Sequence, residues 1–157
     1  SQNPSSIEEQ IRVVVVLDDP LATEVIRLTL SHGPYVVRHA SDVEASFRIL
    51  AEWQPHLAVV DMEVGGSRFL REIDKGSEES ARIPVSGLTR RGDLKAKLAA
   101  FDQGVDDILV MPFALEELLA RVVALTRRTL RRRVEVRPVL NVGDLELDIL
   151  NHRVRVG

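Results

Sequence analysis

Apolar and polar positions along the chain follow two periods in turn. Short apolar runs at Ile11 to Leu17, Tyr35 to Val37, Leu57 to Asp61, Ile83 to Leu88 and Asp107 to Val110 read as strands buried on both faces. Between them, apolar residues recur at helical spacing: Leu21, Val25 and Leu28 with Ile26 and Leu30, then Val43, Phe47, Ile49 and Leu50, then the weaker set Phe69, Leu70 and Ile73. Leu94 to Phe101 and Leu115 to Thr129 continue the series. Asp18-Asp19-Pro20, His32-Gly33-Pro34, Trp53-Gln54-Pro55 and Gly65-Gly66 break the runs, and Ser41 or Asp42 can cap the second helix. Five strands alternating with five helices, joined by right-handed crossovers, predict an α/β fold: a five-stranded, doubly wound parallel sheet covered on both faces.

That arrangement draws attention to Asp61. It closes the most uniformly apolar run, and the carboxyl ends of such strands face the ligand crevice. An Asp there also starts turns and caps helices, so the residue alone leaves a chemical and a structural duty equally open.

Composition narrows the chemistry. The 157 residues are 45% hydrophobic, enough for a real core without staples. There is no cysteine, and His32, His39, His56 and His152 are scattered without ligand spacing, so any metal would take oxygen ligands. No apolar stretch approaches the roughly 20 residues of a membrane span, and Ser1 to Gln10 carries no signal-peptide core. The expectation is a soluble, cytoplasmic protein that does not engage membranes. The net charge of -3 hides a crowd of Arg127, Arg128, Arg131, Arg132, Arg133 and Arg137, read as a solvated run more than a phosphate-seeking arm.

Taken together, Asp18-Asp19-Pro20-Leu21, Asp61, Thr89 and Met111-Pro112-Phe113 come after strands one, three, four and five. In that order and registration the chain resembles a response-regulator receiver domain from about Arg12 to Arg128, and the C-terminal segment beyond it resembles the start of the output domain of an OmpR/PhoB-type transcription regulator. The resemblance implies a CheY/flavodoxin-like fold without enzymatic activity of its own. It implies that Asp61 accepts a phosphoryl group from a sensor histidine kinase and that Thr89 contacts that group. It also implies Mg²⁺ held by Asp18, Asp19, Asp61 and the backbone carbonyl of Glu63, since a hard cation wants oxygen ligands.

Four positions depart from the family pattern. Leu17 stands where the first acid of an Asp pair is usual, Met111 where a lysine meets phosphoryl oxygen, Ile108 where an aromatic switch residue is usual, and Arg90 where a small residue follows the threonine. A thioether cannot replace an ammonium, and Met111 is expected to fill a closed apolar pocket. Arg90 either returns positive charge toward Asp61 or points to solvent, and solvent is the expectation. The implied receiver is therefore atypical and phosphorylation-independent, with Mg²⁺ doubtful. Two alternatives are a working phosphoreceiver using Asp18, Asp19, Asp61 and Thr89, and a haloacid-dehalogenase-like phosphatase with Asp61 as nucleophile and Glu63 as acid. The latter lacks the later lysine and paired acids such sites need.

The resemblance also implies a homodimer through the fourth helix, fifth strand and fifth helix. Lys97 and Glu117, Asp107 and Arg121, and Asp106 and Arg128 match the family's ion pairs, while Leu98, Phe101 and Ala120 match its apolar patch. Spacing agrees, because Glu117, Arg121 and Arg128 share one helix face and Lys97 and Phe101 lie one turn apart. The expected organisation is a flexible tail over residues 1–11, a receiver over 12–129, a linker over 130–138, and over 139–157 the strand-rich start of a winged-helix domain, cut before its recognition helix. Short strands are expected at Val139 to Val142, Leu145 to Ile149 and Arg153 to Val156, with turns at Gly143-Asp144 and Asn151-His152. DNA would then be a partner of the full-length protein only.

Overall fold

The computed structural model describes residues 9–75, 82–131 and 134–136, and the backbone of 139–142, 145–148 and 153–156. Most of the N-terminal tail, Arg132, Arg133, Arg137 and the two expected turns of the C-terminal segment lie outside the described residues.

Strands β1 (Ile11–Val16), β2 (Tyr35–Ala40), β3 (Leu57–Asp61), β4 (Val85–Thr89) and β5 (Asp107–Val110) alternate with helices α1 (Pro20–Leu30), α2 (Val43–Trp53), α3 (Gly66–Asp74), α4 (Leu94–Gln103) and α5 (Leu115–Leu130). The strands form one sheet in the order β2-β1-β3-β4-β5, and every pairing is parallel. β1 lies between β2 and β3, and its Val13 to Val16 are fully buried. Each such side chain contributes about 1.5–3 kcal/mol of burial, which explains why an uninterrupted Val run sits there. Alternate residues feed two cores. Val13, Val15 and Leu17 join Ile26, Leu118, Val122 and Leu125 under α1 and α5. Val14, Val16 and Val60 join Phe69, Leu70 and Ile108 on the opposite face.

Two sequence expectations need correction. The fourth strand begins at Val85, not Ile83, because Pro84 intervenes: it has no N–H to give a ladder, and only its carbonyl joins the sheet, accepting from Ala58 N at 3.0 Å. In α1 the buried stripe is Thr23, Ile26, Thr29 and Leu30, whereas Leu21 is 76% exposed. The Thr29 hydroxyl donates to the Val25 carbonyl at 2.7 Å, so this polar residue can face the core without an orphaned group.

Helix ends obey local chemistry. Asp19 caps α1, its carboxylate accepting from Ala22 N at 3.0 Å, with Pro20 in the first turn. Asp42 caps α2 through Ala45 N at 2.8 Å. Gly104, at φ 113°, closes α4 in the left-handed conformation that glycine adopts without penalty. Beyond α5, Val134 and Val136 pack against the first core. A separate antiparallel sheet, β6 (Val139–Val142), β7 (Leu145–Asp148) and β8 (Arg153–Val156), pairs in chain order.

Candidate functional site

The sheet delivers Asp61 to its carboxyl edge with 1% of its surface exposed. Both readings of this residue hold in part. Its Oδ1 accepts from the Glu63 amide at 3.0 Å, an Asx turn that starts the β3–α3 connection. Its Oδ2 accepts from Arg90 Nη1 at 3.3 Å. The expectation that Arg90 points only to solvent is therefore corrected: its side chain is 58% exposed, yet Nη1 also stands 3.7 Å from Glu63 Oε2. The cause is the turn after β4, where Glu63 Oε1 accepts from both Thr89 Oγ1 at 3.0 Å and the Arg90 amide at 3.3 Å. Anchored at its own backbone, Arg90 lies within reach of two carboxylates.

The two acids titrate apart. Burial pushes the Asp61 carboxyl upward, and the neighbouring Glu63 adds to this against the hydrogen bonds from the Glu63 amide and Arg90. Burial also pulls Glu63 upward, but hydrogen bonds from Asp61, the Arg90 amide and Thr89 outweigh it and leave Glu63 below the usual carboxylate value. A proton retained by the pair therefore resides on Asp61.

Of the residues expected to share a site, Asp61, Glu63, Thr89 and Arg90 are joined by hydrogen bonds and ion pairs, whereas Asp19 and Met111 only line a cavity with Arg90, and Ile108 a second one with Glu63 and Thr89. Leu17 is 1% exposed in the first core. Asp18 is exposed, and Asp19 is committed to the α1 cap. Among the described residues no group of three or more His, Cys, Asp or Glu side chains is placed to hold a metal ion. The expected Mg²⁺ ligands are thus not assembled. The position of the first acid of the usual pair carries the core Leu17, and Oδ2 of Asp61 faces a guanidinium that would repel a cation. This donor set does not fit the ion.

Met111 departs from expectation as well. It is half-buried, its amide donating to the Thr89 carbonyl at 2.7 Å, but it does not fill a closed pocket. It lines an open cavity of about 620 Å³ together with Leu21 and Arg90. Ile108, in contrast, is buried at 7% exposure in the second core. A smaller cavity of about 200 Å³ lies beside it, lined also by Met62, Thr89 and Gln103. Sequence reasoning gave Glu63 a backbone role toward a metal, or an acid's role in the phosphatase alternative, and missed its side chain as the hub joining Thr89 and Arg90. The signal available was an acid two residues after the strand-ending Asp.

On the fourth helix, Leu98 and Phe101 are 59% and 47% exposed, and Leu94, not singled out by sequence, is 70% exposed. The spacing of Leu94, Leu98 and Phe101 puts them on one face. Arg121 Nη1 meets Asp107 Oδ1 of its own chain at 3.1 Å and its Nε meets Glu117 Oε1 at 3.3 Å. Asp106 is engaged elsewhere: its Oδ2 accepts from Val85 N at 2.7 Å and lies 3.4 Å from Arg82. Within one chain it serves the start of β4 and not Arg128, which is exposed.

Comparison with known proteins bears on this arrangement. Residues 13–123 match the response regulator receiver domain family. The chain is 35% identical over 141 residues to the DNA-binding dual master transcriptional regulator RpaA of Synechocystis sp., covering 87% of this chain and 58% of that protein. It is 34% identical over 150 residues to the response regulator MprA of Mycobacterium tuberculosis, covering 94% of this chain and 64% of that protein. The chain therefore spans about three fifths of the length of these relatives. Among solved structures, the response regulator DrrB, a Thermotoga maritima OmpR/PhoB homologue, is similar with a TM-score of 0.66 at 26% identity, covering 94% of this chain and 64% of that one. The chemotaxis response regulator CheY4 of Vibrio cholerae shares the fold with a TM-score of 0.68 at 21% identity, covering 74% of this chain and 99% of that one.

Proposed function

Because the chain belongs to the response regulator receiver domain family, we propose that it is the signal-input and dimerisation part of an OmpR/PhoB-type transcription regulator that works without acyl phosphate. The observation that carries this reading is the Arg90–Asp61 contact of 3.3 Å beside a strand-five end that offers Met111 and no ammonium. A phosphoacceptor needs preorganised positive charge where phosphoryl oxygens develop negative charge. Here one guanidinium is divided between Asp61 and Glu63, the first acid of the pair that would hold Mg²⁺ is replaced by the buried Leu17, and Asp19 is engaged in the α1 cap, which leaves Asp18 as the one acid of that pair. Thr89 already donates to Glu63, so its hydroxyl is occupied without a phosphoryl group.

Residues 11–130, from the buried Ile11 that opens β1 to the end of α5, form the receiver in this reading, one residue wider at each end than the sequence pattern suggests; 131–138 are the linker and 139–157 part of the output domain. DNA is bound by the full-length regulator, and a sensor histidine kinase is a partner only if Asp61 accepts phosphate. Among the described residues no helix is long and apolar enough to cross a membrane. Phosphatase chemistry is disfavoured because Glu63, its candidate proton donor, is held below the usual carboxylate value and is therefore ionised at neutral pH. Incubation with acetyl phosphate and Mg²⁺, followed by intact mass, should yield no adduct. A stoichiometric adduct that disappears in Asp61→Asn would overturn the reading.

A further inference from the structure

The cavity of about 620 Å³ at the carboxyl edge of the sheet is independent of whether Asp61 is ever phosphorylated. Leu21, Val25 and Ile26 of α1 form one wall, and Met111, Phe113 and Leu115 around the start of α5 form the other. Its size falls within the roughly 300–1,000 Å³ of small-molecule sites, and its place outside the strand ends is where doubly wound sheets bind ligands. Its apolar character has two sources. Methionine at position 111 supplies an adaptable thioether where an ammonium would have made the floor polar. The rotation of α1 that buries Thr23 and Thr29 leaves Leu21, the most exposed large apolar side chain of the described residues at 76%, at the rim.

Two polar residues complete the lining, Asp19 and Arg90. Asp19 accepts from Ala22 N through Oδ1 at the α1 N-terminus, where the helix dipole offsets its negative charge. Arg90 keeps donors in reserve: both its ion pairs run through Nη1, whereas a guanidinium carries five N–H donors in a planar fork. The side chain is 58% exposed and suits a second acid bound alongside Asp61.

We propose that this cavity binds a small organic anion, an aromatic or branched aliphatic body with a single acid group, the body seated between α1 and Met111 and the acid on Arg90. Inorganic phosphate alone would leave the apolar walls unsatisfied, and a cationic ligand would meet the guanidinium. Asp61 and the ligand's acid use different N–H donors of Arg90 but share its single positive charge, so each weakens the other's hold. Occupancy of the cavity thereby acts on the Glu63–Thr89 turn in the place that phosphate would.

The test titrates the full chain with 8-anilinonaphthalene-1-sulfonate and with N-phenyl-1-naphthylamine, the same aryl body without the acid group, following fluorescence. Both should saturate at one site. Arg90→Ala should weaken the sulfonate about tenfold and the neutral probe less than about twofold, because only the former has a charge-assisted contact to lose. Asp61→Asn should tighten the sulfonate alone. Ala22→Trp, which fills the cavity, should abolish both, and Leu21→Ser, at an exposed position where folding is not at stake, should weaken both. Absence of saturable binding, binding indifferent to Leu21→Ser and to Ala22→Trp of native circular dichroism, or equal loss of both probes in Arg90→Ala would overturn the assignment.

Discussion

Arg90 holds Asp61 from the solvent side: Nη1 lies 3.3 Å from Oδ2, with 58% of the arginine side chain exposed against 1% of the aspartate. A buried carboxylate is thereby compensated by a cation that itself stays mostly hydrated, so the arginine gives up little solvation to make the pair. Removing it should therefore act mainly on Asp61. Arg90→Ala is expected to raise the Asp61 pKa further and to cost about 1 kcal/mol of stability at neutral pH, with little cost once Asp61 is protonated. Carboxyl-carbon NMR titration reads the first effect. A downward shift would show that Arg90 does not stabilise the charge.

The same burial makes Asp61 a liability when ionised. Its folded pKa lies above the unfolded value, so its favourable contribution is present at acid pH and is lost as pH rises through the raised value. Glu63 runs the other way: its contribution is present above the ordinary carboxylate range and is lost as pH falls through its lowered value. Asp61→Asn removes the first liability and keeps the second benefit. Its urea midpoint should exceed that of the parent at neutral pH, and the advantage should vanish on acidification. An asparagine variant less stable than the parent at neutral pH would mean that the Arg90 pair outweighs burial.

Rebuilding the missing acid should fail for a structural reason. Leu17 is 1% exposed among core side chains under α1 and α5, so Leu17→Asp removes buried apolar volume and buries a charge at once. It should cost at least about 2 kcal/mol, seen as a lowered urea midpoint, without enabling acyl phosphate formation. Met111→Lys, at a half-buried position lining an open cavity, should be tolerated within roughly 1 kcal/mol. A Leu17→Asp variant as stable as the parent would show that this position can turn outward to bind metal.

The parallel sheet was legible where its strands are apolar on both faces, and β1, β3 and β5 lie within one residue of where the pattern places them, whereas β2 runs three residues past the expected Val37 through the exposed Arg38 and His39. The α1 face was not. Spacing counts Leu21 and Leu28 as core and cannot know that Thr23 and Thr29 are the buried ones; the Thr29 hydroxyl reaching the Val25 carbonyl makes its own burial tolerable, and among the described residues nothing comparable serves Thr23. The Arg90 contact was out of reach for another reason. It joins residues 29 positions apart, and its geometry depends on the Glu63 side chain gripping the Thr89–Arg90 turn, which no local pattern encodes.

The proposed dimer face is also where a single chain is ambiguous. Arg121 pairs with Asp107 within the chain at 3.1 Å, although the family resemblance assigns that pair across a twofold axis. A simple charge swap cannot separate the two, because Arg121→Asp with Asp107→Arg restores the pair in either arrangement. Mixing the two single variants can. Within each chain, Arg121→Asp leaves acid against acid and Asp107→Arg leaves base against base, so neither is mended by mixing. Across a twofold axis the heterodimer sets Asp107 of one chain against Arg121 of the other, and the two introduced charges also meet with opposite sign. Each variant alone should sediment mainly as monomer at tens of micromolar, and the equimolar mixture should recover dimer. The charges set register while contributing about 0–1 kcal/mol each. Affinity should instead come from Leu98 and Phe101, with Leu94 joining them at 70% exposure. Phe101→Ala and Leu94→Ser should each weaken the dimer by more than about 1 kcal/mol, and Lys97→Ala by less. A mixture that stays monomeric while the parent chain dimerises would confine the Arg121–Asp107 pair to one chain and move the interface elsewhere.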